Sequence, residues 1–209
     1  MKKTVKYLLL FSMMLLFACT FSVQAKEASS VSGLEYERSM ELSYAEEFSV
    51  DYYKGGYALI TIADSDKFLI VPEGKEAPEN MEENIAVLKQ PLNNIYLVAT
   101  SAMDFFVSLD GLESIRLSGT NENGWYIEEA KKALKDGSIL FAGKYNAPDY
   151  ELILGENCSL AVESTMIYHT PEVKEKLEQF KIPVLVERSS YESHPLGRTE
   201  WIKDRKSVV

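Results

Sequence analysis

Residues 158–187, CSLAVESTMIYHTPEVKEKLEQFKIPVLVE, change their hydrophobic period twice. SLAVES is a short apolar run of the kind a strand buried on both faces requires. TPEVKEKLEQF then switches to helical spacing: Thr170 stands at the cap position, Pro171 in the first turn, and Val173, Leu177 and Phe180 on one stripe. PVLVER returns to a strand. Strand, helix, strand is a βαβ unit, and its crossover is right-handed between parallel strands.

The same alternation extends upstream. NIYLVA (94–99) reads as a buried strand, SAMDFFVSL (101–109) as a helix, and SIRLSG (114–119) as a strand. GWYIEEAKKALKDG carries Ile127, Ala130 and Leu134 on one stripe and stops at Gly137. SILFAG is a further strand and DYELIL a short helix. Before Asn94 the style differs. Leu42, Tyr44, Phe48, Val50 and Tyr52 alternate, Lys54-Gly55-Gly56 is a turn, YALITIAD a strand, and Asp64 to Lys67 a second turn before FLIVPEG. This predicts a short β meander. Residues 72–90, acidic and proline-containing, are expected as a surface excursion. The fold class expected is α/β, a parallel sheet flanked by helices and preceded by the meander.

The first 25 residues are expected to be a leader. Lys2, Lys3 and Lys6 form a positive start, and the apolar run from Tyr7 to Ala18 is shorter than the ~20 residues a membrane-spanning helix needs. Two exits are open. Leu16-Phe17-Ala18-Cys19 resembles a lipobox that would leave Cys19 lipidated, and Val23-Gln24-Ala25 suits ordinary cleavage before Lys26. Either exit places the mature chain outside the cytoplasm, lipid-anchored on the outer face of the membrane or free in the cell envelope. Residues 26–40, with KEASSVSG, are expected as a flexible tether.

The balance of 22 basic against 32 acidic residues, net −10, excludes a general nucleic-acid-binding surface. Two cysteines and two histidines leave no metal site of usual spacing, and no intramolecular disulfide is expected. In open α/β sheets ligands sit beyond the carboxyl ends of the strands. Five loops occupy those places. They carry Ser101 and Met103 (with Ser101 and Asp104 at capping-box spacing); Trp125 and Tyr126; Lys144, Tyr145 and Tyr150; Ser164, Thr165, Met166, Tyr168 and His169; and Arg188, Tyr191, His194 and Arg198. Each type has a bland role as cap, packing residue or salt bridge. Together they suit a large, flat or partly anionic small molecule. A hydrolytic set could be drawn from Ser164, His194 and Asp149 or Glu163, but no G-x-S-x-G elbow accompanies it.

The segments IYLVATSAMDFFVSLDGLESIRLSG, ILFAGKYNAPDYELIL, 158–187 and SSYESHPLGRTEWIK, in this order, resemble bacterial ABC-transporter substrate-binding proteins of the class serving iron–siderophores, haem and cobalamin. The resemblance spans roughly residues 91–203. It implies the first of two α/β lobes that flank a ligand cleft and are joined by a long helix, with no catalysis and no cofactor of its own. The implied partners are an iron or related metal chelate, a permease and its ATPase. It places ligand contacts around Ser101, Met103, Trp125, Tyr145, Ser164 to Met166, Tyr191, His194 and Arg198, and a permease-docking acid at Glu172. A binding or sensor module on the same fold is the alternative. PLGRTEWIK is where the joining helix would begin. Asp204 to Val209 match the translation of GAT CGG AAG AGC GTC GTG, a common sequencing adapter, and are expected to be foreign to the natural protein. One lobe alone is expected to bind weakly.

Overall fold

The computed structural model describes residues 31–208, with side chains as far as Arg205. The leader, both of its exits, Cys19 and the first part of the tether lie outside the described residues.

Two five-stranded sheets share one core. The first sheet has the order β1 (Tyr36–Ser39), β2 (Phe48–Tyr53), β3 (Tyr57–Ile62), β4 (Asp66–Val71), β5 (Ile85–Lys89). Its first four strands form an antiparallel meander. Gly55 and Gly56, at φ +88° and +86°, make the β2–β3 turn in a region that side chains other than glycine rarely enter.

Three expectations change here. Residues 31–40 are built into the fold, because Val31 is buried against Leu69 and Ile85 and β1 pairs with β2. The alternation expected from Leu42 begins only at Phe48. Residues 72–90 are an excursion only to Asn84, since β5 lies parallel to β4. Ile85 packs on one face of β5 and Leu88 on the other, so the strand is held by burial on both sides.

The second sheet is all parallel, in the order β12 (Val184–Glu187), β11 (Ala161–Ser164), β6 (Ile95–Leu97), β7 (Ile115–Ser118), β8 (Leu140–Phe141). The chain runs outward from β6 through β7 to β8. It then returns to the other side of β6 for β11 and β12. The helices divide accordingly. α1 (Thr100–Ser108) and α2 (Glu128–Asp136) contribute Met103, Phe106, Ala130 and Ala133 to the core shared with the inner face of the first sheet. α3 (Tyr150–Gly155) and α4 (Pro171–Gln179) cover the opposite face with Ile153, Val173 and Leu177. A small hairpin, β9 (Gly143–Lys144) and β10 (Ala147–Pro148), precedes α3.

Local chemistry explains most helix ends. Gly137 closes α2 in the left-handed conformation, and Asp149 caps α3 by accepting from the Leu152 amide at 3.0 Å. Thr170 holds the cap position of α4 but does not cap it with its side chain, because its hydroxyl turns back to the Ile167 carbonyl. Ser101 is also no cap. α1 starts at Thr100, and the Ser101 hydroxyl donates to Glu187 at 2.5 Å.

The last helix, α5 (Pro195–Val208), ties the sheets together. The Glu200 carboxylate accepts from the amides of Ser43, Tyr44 and Ala45 at 3.1, 2.8 and 2.9 Å. Glu192, just before the helix, accepts from the Glu46 and Glu47 amides at 2.8 and 3.2 Å and from Trp201 Nε1 at 2.7 Å. Trp201 itself packs on Phe48 of β2. Two carboxylates thus satisfy the backbone donors of a loop that has no ladder partner. Residues 204–208 continue α5. Asp204 and Arg205 are fully buried, 3.3 Å apart, and their polar atoms lack hydrogen-bond partners.

Candidate functional site

The reversal of strand order between β6 and β11 opens a crevice above their carboxyl ends, the place where α/β sheets bind ligands. A cleft of about 380 Å³ lies there. Val98 and Thr100, at the exit of β6, form its floor. Gly119, Thr120 and Asn121, after β7, make one wall, and Ser164, at the end of β11, faces them. Lys144 and Tyr145, from the β9–β10 hairpin, close a third side.

The geometry depends on small residues and fixed turns. A Cβ on Gly119 would lie 2.9 Å from the Val98 Cα, so only glycine lets the two strand exits approach this closely. Gly143, at φ +86°, turns the chain into the hairpin, and the buried Tyr96 hydroxyl pins that turn by donating to the Gly143 carbonyl at 2.8 Å. Asn121 accepts from the Gly124 amide and shapes the wall. No side chain caps α1, and its first turn carries no acid. Its positive end meets the Glu187 carboxylate through Ser101, which leaves the Lys144 ammonium as the full positive charge lining the cleft. Hydroxyls, one cation and one phenol line it, groups whose chemistry suits an oxygen-rich, partly anionic molecule.

Of the residues expected at the ligand, the structure places Tyr145 and Ser164 in the cleft. Thr165 and Met166 stand beside it on the one-turn helix Thr165–His169. Two expectations are overturned by burial. Met103 is 0% exposed inside the core. Trp125 is 4% exposed, and its Nε1 donates to Ser118 Oγ and the Thr120 carbonyl, so it buttresses the wall from beneath and offers no surface to a ligand. Ser101 is engaged with Glu187. Tyr191, His194 and Arg198 do not line the cleft. They gather at the joint with the first sheet: Arg188 pairs with Glu47 at 2.6 Å and lies over the Tyr191 ring, His194 stacks on Tyr44 at 4.5 Å, and Arg198 donates to the Ser190 carbonyl. Glu172 is exposed in the first turn of α4. Thr120 and Asn121 were missed, and only their position after a strand pointed to them.

The hydrolytic set is not assembled. Ser164 Oγ accepts from the Met166 amide, His194 Nδ1 accepts from the Leu196 amide, and Asp149 caps α3. Cys158 is a free thiol pushed up to about 11 by burial, and so unreactive at neutral pH. Among the described residues no group of three or more His, Cys, Asp or Glu could hold a metal ion, and no helix is long and apolar enough to cross a membrane. A larger groove, about 490 Å³, lies at the amino end of β12, between β5 and α4. Lys67 pairs with Glu82, and Lys174 with Asp66 and Glu178, at its rim, and it lies away from the strand exits. The cleft at the strand exits is therefore the better candidate.

The class these features define is a mixed α/β protein with a parallel sheet flanked by helices and an open cleft at its strand-order reversal. No protein-family model matches the chain. It is 23% identical over 198 residues to an uncharacterized lipoprotein of Methanocaldococcus jannaschii, a match covering 88% of this chain and 48% of that protein. The chain thus spans about half the length of the curated relative it matches. Among solved structures it is similar to the iron uptake ABC transporter substrate-binding protein PiuA from Streptococcus pneumoniae, at 16% identity and a TM-score of 0.36, over 56% of this chain and 40% of that one.

Proposed function

We propose that the chain is one lobe of an exported, envelope-associated substrate-binding protein. Its cleft takes part of an oxygen-rich metal chelate, such as a ferric siderophore, and the full protein delivers that ligand to an ABC permease and its ATPase. The observation that carries this reading is the cleft at the strand-order reversal, where Lys144, Tyr145, Ser164 and the uncapped start of α1 converge. An open cleft of this kind encloses only one side of a ligand. A second lobe supplies the other, and Glu172, exposed on α4, is the docking acid for the permease. The leader and the relative described as a lipoprotein support an envelope location.

Calorimetry with ferric siderophores, haem and cobalamin tests the reading. The chain alone is expected to bind one of these weakly, and Lys144→Ala is expected to weaken that binding about tenfold, the scale of one lost charge-assisted contact. Submicromolar binding by the chain alone would refute the single-lobe reading. Binding unaffected by Lys144→Ala and Tyr145→Ala would refute the site.

A further inference from the structure

Glu163 lies directly before the cleft residue Ser164. Val162 packs with the α1 and α2 core and Ala161 with the α3 and α4 core, so alternation along β11 sends Glu163 toward α3 and α4. It is 0% exposed, and neither carboxyl oxygen has a hydrogen-bond partner. The titratable groups felt around it are the Tyr96 phenol from β6, already committed to the Gly143 carbonyl, and the Tyr150 phenol from α3. Cys158 lies beyond Tyr96, and Glu172 of α4 beyond Tyr150. No cation is among them.

Burial therefore holds the Glu163 carboxyl as a neutral acid, pushed up to about 8 against the pull of the nearby Ser164 amide, which is not aligned for a hydrogen bond to either oxygen. The segment that follows it along the chain is held by few side chains. The turn Thr165–His169 keeps one buried side chain, Ile167, and exposes Met166, Tyr168 and His169. Its links include a 3.4 Å contact from the Met166 amide to Ser164 Oγ, the Thr170 amide on Ile167, and the exposed Tyr168 hydroxyl against Arg188, which is itself held by Glu47. Such a segment can open without the rest of the sheet.

We propose that Glu163 is a proton-held latch beneath the lip of the cleft. As a neutral acid it keeps the Thr165–His169 turn and the start of α4 closed on β11. Loss of its proton to water drives that lip open, because the carboxylate can be solvated only when the lip lifts. The latch does not rest on what the cleft binds. Closed, the carboxyl keeps its proton to about pH 8. Open and hydrated, it titrates near the ordinary 4.5. The opening constant therefore rises about tenfold per pH unit between these values and levels off above the upper one.

Hydrogen exchange on the whole chain from pH 5 to 9, corrected for intrinsic exchange rates, reads this directly. His169→Gln serves as the background, so that the lip's own imidazole does not contribute. Protection of peptides covering residues 163–173 is expected to fall about a hundredfold from pH 5 to 7 and to level off above pH 8. It is expected to stay flat in Glu163→Gln, and in Glu163→Met should the glutamine variant fail to fold. A lip whose pH profile is the same with and without Glu163 overturns the latch. So does a loss of protection shared equally by peptides of α1 and α2, which would report unfolding of the whole domain.

Discussion

Glu192→Ala tests the joint between the two sheets. The carboxylate is 5% exposed and accepts three hydrogen bonds, from the Glu46 and Glu47 amides and from Trp201 Nε1. Hydrogen bonds to a charged group contribute about 1.5–3 kcal/mol each, and orphaning buried donors has a cost of the same order. Water can reach the partly buried amides more easily than the indole, so the lower end applies to two of the three. The expected loss is about 5 kcal/mol, which for a domain of this size lowers Tm by roughly 10–20 °C. Urea denaturation followed by far-UV circular dichroism measures it, with the m-value unchanged. Glu192→Gln keeps one carbonyl oxygen as acceptor and should lose about half as much. A loss below about 1 kcal/mol for the alanine variant would refute the reasoning, since it would mean that water replaces the carboxylate at all three donors.

Three further outcomes follow from the same structure. Burial alone would raise the Glu200 carboxyl, but Lys203 and the amides of Ala45, Ser43 and Tyr44 outweigh it and hold it at about 2. A depressed acid adds stability above its ordinary value near 4.5 and loses it as pH falls toward 2, so the gap in urea midpoint between wild type and Glu200→Gln should shrink from pH 5 to 2.5; a constant gap would count against this. Replacing Asp204 by Leu and Arg205 by Met together should raise stability by about 1–4 kcal/mol, because the buried pair has orphaned polar atoms; a loss of stability in the same melt would show that the charges are needed. Gly143→Ala forces a side chain into φ +86° and against the Ala147 carbonyl, and should cost roughly 2 kcal/mol or more while displacing Lys144 and Tyr145 from the cleft; an unchanged Tm and unchanged ligand binding would sink that prediction.

The parallel sheet was legible because β6, β11 and β12 are short apolar runs separated by amphipathic helices with caps and stops. β5 escaped because IAVLK sits in acidic, proline-containing chain, and its pairing with β4 is a tertiary event. β1 escaped for the same reason: YERS is exposed along its length, and only its neighbour defines it. At the site, position after a strand found Tyr145 and Ser164. It could not separate a ring that faces the cleft from one that props up its wall, which is why Trp125 was misplaced. Met103 fell on the inner stripe of α1, where residue type suits a ligand pocket and a core equally. Glu192 and Glu200 left no trace in the sequence, since a carboxylate that caps a loop some 150 residues away has no local pattern. Glu163 looked like a possible partner for a nucleophile, and burial gave it a different chemistry.

The joint also sets an order of assembly. During synthesis the first sheet emerges long before α5, and the amides of residues 43–47 wait 145 to 157 residues for their acceptors. At typical ribosomal rates that wait is roughly 8–30 s. Until α1 and α2 follow, Phe48, Ile60 and Phe68 present an uncovered apolar face, and Phe48 waits longer still for Trp201. A nascent chain in this condition is a natural client for a holdase, and a ribosome stalled before codon 192 would release both sheets complete but without the acceptors that tie residues 43–47 to them.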